Sequence, residues 1–163
     1  MMTQNLISLR RSATLLAALA SIFIASSARA SSWQGIEPFK SRRDDVLRIL
    51  GTPINESQTG PLTFKVMGGT VSISFVDQTF VRTKHLRAEM AGTVLQIILQ
   101  HEKSSDTPES MKLADNRDFT RDETKTVLVY RNLKDGVVYT FLNGTLKTTR
   151  YTFSEAQISR ARH

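Results

Sequence analysis

"LTFKVMGGTVSISFV", residues 62–76, is two runs of alternating apolar and polar residues on either side of Gly68-Gly69. A glycine pair between two such runs suits a two-residue turn with positive φ, the tightest connection between antiparallel strands. With Gly68-Gly69 as the turn, Met67 faces Thr70, Val66 stands opposite Val71, Phe64 opposite Ile73 and Leu62 opposite Phe75. These six apolar residues share one face, and Thr63, Lys65, Ser72 and Ser74 share the other. A one-residue slip would turn the whole apolar set to water, so the facing is strongly specified. An apolar sheet face needs a cover, and the segment before it supplies one.

Residues 41–53, "SRRDDVLRILGTP", read as a short helix. Ser41 can cap it, Asp44 follows three residues later as an aspartate version of the capping box, and Asp45 adds negative charge to the first turn. Val46, Leu47, Ile49 and Leu50 supply an apolar side, Gly51 stands where a left-handed residue closes a helix, and Pro53 prevents continuation. A helix of about nine residues is not stable alone in water. It is therefore expected to act as a clip, with Val46, Leu47 and Leu50 packed on the hairpin. Upstream, Trp33, Ile36 and Phe39 are too apolar for a free tail and are expected to lie against the fold, with Trp33 as anchor.

Downstream, residues 77–92 read as a long loop carrying Phe80, Val81, Arg82, Lys84, His85 and Arg87. "TVLQIILQ", residues 93–100, reads as a third strand, with Leu95, Ile97 and Leu99 on one side and Val94, Gln96, Ile98 and Gln100 on the other. Residues 101–125 are polar, with a helical turn expected within 107–113. Three more strands follow at 126–131, 136–142 and 145–153, the last two joined at Asn143-Gly144, which places Phe141 opposite Leu146 and Tyr139 opposite Thr148. Tyr151 and Phe153 are out of phase with Leu146, which predicts a bulge near Thr149-Arg150. Residues 154–163 read as a frayed basic helix. The pattern as a whole predicts an α+β fold: a curved antiparallel sheet of about six strands backed on one face by short helices, in an order that suggests two α-β-β-β repeats.

The first thirty residues are of a different kind. Arg10 and Arg11 precede an uncharged run from Ala13 to Ala25, and Ala28-Arg29-Ala30 has the small-x-small form of a secretory cleavage site. The run is short of the ~20 residues a helix needs to span a bilayer, so cleavage near Ala30 is expected rather than a retained anchor. Leu9 before the arginines and Ala13-Thr14 after them favour general secretion over the twin-arginine route. The chain has no Cys, which rules out disulfides and a lipidated N-terminal cysteine. A single domain, residues 31–163, is left to be held by its core alone. Of the 22 Lys+Arg and 15 Asp+Glu, Arg10, Arg11 and Arg29 leave with the signal, so the excess falls from +7 to +4. That is mildly basic. No nucleic-acid-binding module is recognisable, nucleic acid is not expected as a partner, and an anionic envelope surface is the more natural counterpart of an exported chain.

The pattern Trp33-x-Gly35-Ile36-x-Pro38-x-x-Ser41-x-Arg43-x-Asp45-Val46-x-x-x-Leu50-Gly51-x-Pro53 resembles the N-terminal signature of a family of uncharacterised exported bacterial proteins. More remotely, residues 41–53 resemble the helix-to-"LGxP" segment of the β-lactamase-inhibitor-protein-like fold, shared with the small barrel-assembly lipoprotein of the outer membrane. The resemblance implies a helix-backed curved sheet whose open face grips a protein partner, and it brings no catalytic residues. The lipidated Cys of the lipoprotein is absent, and Phe39-Lys40 stand where a Gly usually precedes the helix cap.

Catalytic patterns are sparse. His101-Glu102 opens like a zinc-protease motif but lacks the second His, and neither a nucleophile elbow nor a phosphate loop is present. Asp118, Thr120, Asp122 and Glu123 are spaced oxygens without the glycine a calcium loop needs. Asn55-Glu56-Ser57 and Asn143-Gly144-Thr145 have the form of glycosylation sites and carry no weight in a bacterial chain. No cofactor or metal is expected. The residues left as candidates are the polar side of the sheet, Thr63, Lys65, Ser72, Ser74, Gln96 and Gln100, continued by Thr140 and Lys147, and the loop residues Phe80, Arg82, Lys84, His85 and Arg87. The function expected from them is partner binding. An exported hydrolase in which His85 or His101 meets a carboxylate is the alternative.

Overall fold

The computed structural model of the chain describes residues 32–55 and 60–162. The expected signal segment and its cleavage junction, and most of the Asn55-Glu56-Ser57 site, lie outside the described residues. In chain order the elements are α1 (Arg43–Leu50), β1 (Leu62–Val66), β2 (Gly69–Phe75), α2 (Gln78–Lys84), a 3-10 turn (Ala88–Met90), β3 (Val94–His101), β4 (Thr120–Glu123), β5 (Val127–Asn132), β6 (Val137–Leu142), β7 (Thr145–Thr152) and α3 (Glu155–Ala161). The strands form one curved, unclosed antiparallel sheet in the order β1-β2-β3-β7-β6-β5-β4. Two meanders, β1-β2-β3 and β4-β5-β6-β7, thus meet at their last strands.

The α+β layering matches the expectation, with seven strands instead of six. The additional strand, β4, is Thr-Arg-Asp-Glu, exposed along its whole length. Such a charged edge carries no apolar alternation and guards the sheet against further pairing. The strand triplets β1-β2-β3 and β5-β6-β7 meet symmetrically at the central β3–β7 pair, but the helices do not repeat. Where a second helix would precede β5, residues 107–113 make a hydrogen-bonded turn, with Met111 N donating to Thr107 O at 3.1 Å and Leu113 N to Pro108 O at 2.9 Å. Leu113 from this turn fills the place of a helix, packing with Tyr130, Phe141 and Leu146.

The clip forms as expected. Val46 is fully buried with Leu62, Phe64, Val71, Ile73, Val94 and Ile97, and Leu47 and Leu50 pack at the margin of that cluster. Its cap lies one residue later than the sequence suggests. Arg42 is the N-cap, and Asp45 reaches back to accept from Arg42 N at 3.0 Å. Ser41 is engaged elsewhere, its hydroxyl accepting from Glu37 N at 3.0 Å and its carbonyl from Val94 N at 2.7 Å. The anchor of the preceding segment is Ile36, fully buried, together with Phe39, whereas Trp33 is half-buried at the edge.

The β1–β2 register differs from expectation by two. Val66 pairs with Gly69, Phe64 with Val71 and Leu62 with Ile73, so the turn residues are Met67-Gly68. A shift of two keeps every side chain on its expected face. The physical reason lies in β3: Gly69 sits so close to it that a Cβ there would be 1.8 Å from Gln100 O. Gly69 is therefore a close-approach residue, while Gly68, with φ +84°, is the turn residue proper.

At the second hairpin Asn143 (φ +50°) and Gly144 (φ +78°) make the expected turn, and Phe141 pairs with Leu146. The bulge falls nearer the turn than predicted. Thr140 pairs with Thr148 and Tyr139 with Thr149, leaving Lys147 as the extra residue. A second irregularity between Ser74 and Phe75 breaks the alternation of β3, so that Val94 joins Ile97 in the first cluster and Leu95 joins a second.

Residues 77–92 are not an open loop. Asp77 caps α2 by accepting from Phe80 N at 2.6 Å, and Val81, Leu86 and Met90 are buried with Phe39, Val76 and Ala161. The C-terminal helix is likewise not frayed. Ser154 and Gln157 form a reciprocal capping box, and Gln157 Nε2 donates to Pro38 O at 2.9 Å, tying α3 to the opposite end of the domain's sequence.

Candidate partner-binding face

The helices and loops cover one face of the sheet, and the register defines what the other presents. One transverse row reads Thr63, Ser72, Ile98, Arg150, Val138, Arg131, Thr120. The next reads Lys65, Thr70, Gln100, Thr148, Thr140, Val129, Asp122. Ser74, Gln96 and Thr152 begin a third. All six sequence-derived candidates, Thr63, Lys65, Ser72, Ser74, Gln96 and Gln100, share this open face. Thr140 continues it, whereas Lys147, as the bulge residue, is not assigned a side by alternation.

The centre of the face is displaced from those candidates. A depression of about 210 Å³ is lined by Ile98, Val129, Arg131, Val138, Thr140, Thr148 and Arg150, on strands β3, β7, β6 and β5. Its floor is aliphatic and its rim is hydroxyl and guanidinium. Sequence reading missed this cluster, although one signal was available: Ile98, Val129 and Val138 are apolar residues on the polar side of their strands.

Ion pairs set the charge of the face. Lys65 pairs with Glu102, just beyond β3, and Arg131 pairs with Asp122 across β5–β4. Asp122 and its neighbour Glu123, which pairs with Arg121, therefore belong to an edge strand rather than a cation loop. Among the described residues no group of three or more His, Cys, Asp or Glu side chains is placed to hold a metal ion. Ser74 Oγ is enclosed without a hydrogen-bond partner among the described residues.

The second candidate set divides. Phe80 is half-buried in an aromatic cluster with Phe39 and Phe153, with ring centroids 6.3 and 5.9 Å away. Arg82 and Lys84 lie in the last turn of α2, and His85 closes that helix in the left-handed conformation. The carbonyl ends of α2 and α3 meet here, joined by Arg87 N to Ala161 O at 2.9 Å and Arg162 Nε to Lys84 O at 3.2 Å. Cations beside two converging helix C-termini offset their negative ends. That gives Arg82, Lys84 and Arg162 a structural role.

His101 Nε2 lies 3.0 Å from Thr149 Oγ1, but Thr149 is only 3% exposed, which closes its hydroxyl to a substrate. Desolvation holds the His101 imidazole below its ordinary pKa, and the Asp106 carboxylate pulls it partly back. With the folded value below the unfolded one of about 6.5, the unfolded chain binds more protons between the two. The His101 contribution to stability is thus fully present above about pH 6.5 and is lost as pH falls toward the folded value. His101→Gln is expected to flatten the pH dependence of the urea midpoint between about pH 6.5 and 5, above the carboxylate range. An unchanged slope in the variant would show that another group governs it.

Among the described residues no helix is long and apolar enough to cross a membrane. The fold and face define an α+β protein with one sheet surface covered by helices and loops and the other left open. Comparison with protein families, with curated proteins and with solved structures returned no match for this chain.

Proposed function

We propose that this protein is an exported, non-enzymatic binding module that receives its partner on the open face of the sheet. The observation that carries this reading is the aliphatic floor of Ile98, Val129 and Val138 inside a polar rim. Alternation in a half-exposed antiparallel sheet favours polar residues on the water side. Three aliphatic residues grouped at the centre of that side, Ile98 and Val129 half-buried and Val138 buried beneath the rim, have the anatomy of a protein interface, apolar within and polar around. The rim offers no imidazole, and the face's one acidic side chain in these two rows, Asp122, is engaged by Arg131. Export is supported by the Arg10-Arg11, apolar-run and Ala28-Arg29-Ala30 layout. The resemblance of residues 41–53 to the helix-to-"LGxP" segment of the β-lactamase-inhibitor-protein-like fold supports the same use of the sheet.

Ile98→Lys tests the reading. Truncating or blocking a central interface anchor costs about 2 kcal/mol or more, roughly a 30-fold loss of affinity. The variant is expected to lose capture of an envelope partner in a quantitative pull-down while its melting temperature stays close to wild type. Equal capture by a folded variant removes the open face from consideration.

A further inference from the structure

We infer that the partner segment received on the open face presents an aliphatic side chain beside a carboxylate, with Arg150 as the residue that reads the carboxylate. This inference rests on the binding role proposed above and names the chemistry of the partner. Among the cations assigned to the two central rows, Lys65 and Arg131 have ion partners in Glu102 and Asp122. Arg150 has none among the described residues. It is exposed, and it stands directly between Ile98 on β3 and Val138 on β6, at the centre of the depression. A guanidinium in that position offers a planar fork to a carboxylate while an adjoining aliphatic group covers the floor.

The alternatives fit less well. At about 210 Å³ the depression is smaller than the ~300–1,000 Å³ of small-molecule sites, so it suits a side chain of a larger partner. A nucleic-acid strand would want stacking aromatics, and neither central row contains one. A neutral apolar partner would leave the Arg150 charge covered and unpaired, which disfavours binding.

Random peptides displayed on phage, selected against the exported protein, provide the test. Wild type is expected to enrich sequences with Asp or Glu adjoining Leu, Ile or Val. Synthetic copies of these should bind Arg150→Gln about tenfold more weakly and Arg150→Glu more weakly still, with all proteins melting alike. Selection on Arg150→Glu should favour Lys or Arg at the acidic position. Enriched peptides that need Ile98, as judged by loss on Ile98→Lys, but show no acidic preference and bind Arg150→Glu unchanged, would overturn the inference and leave the binding face standing. If no enriched peptide depends on Ile98, both fall.

Discussion

Gly69→Ala is expected to remove at least about 3 kcal/mol of stability, whereas Gly68→Ala, one residue earlier, costs about 1–2 kcal/mol. The two glycines look equivalent in sequence and do opposite work. Gly68 has a positive φ with open space around it, so an added methyl meets only the strain of the left-handed conformation. Gly69 has ordinary strand geometry, but its Cβ would fall 1.8 Å from Gln100 O and 3.0 Å from the attached carbonyl carbon. Those atoms are backbone, so relief requires moving β2 away from β3 and weakening the ladder that joins the first meander to the centre of the sheet. A loss of that size is a large share of the 5–15 kcal/mol a domain usually has. Urea midpoints at constant m-value measure both. Equal costs at the two positions would restore Gly68-Gly69 as the turn and refute the register in which Val66 pairs with Gly69.

The same pair of residues shows how far the sequence was legible. Period-two alternation assigned the faces of β1 and β2 correctly, because facing depends on parity alone. It could not choose between two registers of the same parity, because that choice rests on the approach of β3, a contact between Gly69 and Gln100, far apart in sequence. The helix at residues 43–50 was readable from its apolar spacing and its Gly51 stop. Its cap was displaced because Ser41 is taken up by Glu37 and Val94. Alpha2 was missed since Phe80 and Val81 are followed only by polar residues to the helix end, leaving too little periodicity to read, and β4 since an exposed edge strand has no apolar period at all. The polar side of the sheet was found, but not its centre. Locating that centre requires knowing that β3 pairs with β7, which brings Ile98 beside Arg150 and, through β6, beside Val138.

Val46→Asp is expected to leave the protein largely unfolded. Val46 has no exposed surface and sits between the covered face of the hairpin and Ile36, with Val94 and Ile97 completing its surroundings. An ionised carboxylate there would be buried among aliphatic groups, at a cost of several kcal/mol after relaxation, comparable with the whole stability of a domain. Val46→Ala supplies the graded control. It removes two buried carbons worth about 0.8 kcal/mol each, plus the cavity they leave, for a loss of roughly 2 kcal/mol that should be measurable by urea unfolding. The rest of α1 should follow its exposure: Leu50→Asp, at the margin of the cluster, costs less than Val46→Asp, and Ile49→Asp, at a position 40% exposed, costs least. This ordering follows from one helix pressed by one face onto one sheet, since an eight-residue helix gains little from its own hydrogen bonds and depends on that contact. A Val46→Asp protein that melts within a few degrees of wild type would detach α1 from the core. The covered face of β1 and β2 would then need a different partner, and the division of the sheet into a sealed side and an open side would fail with it.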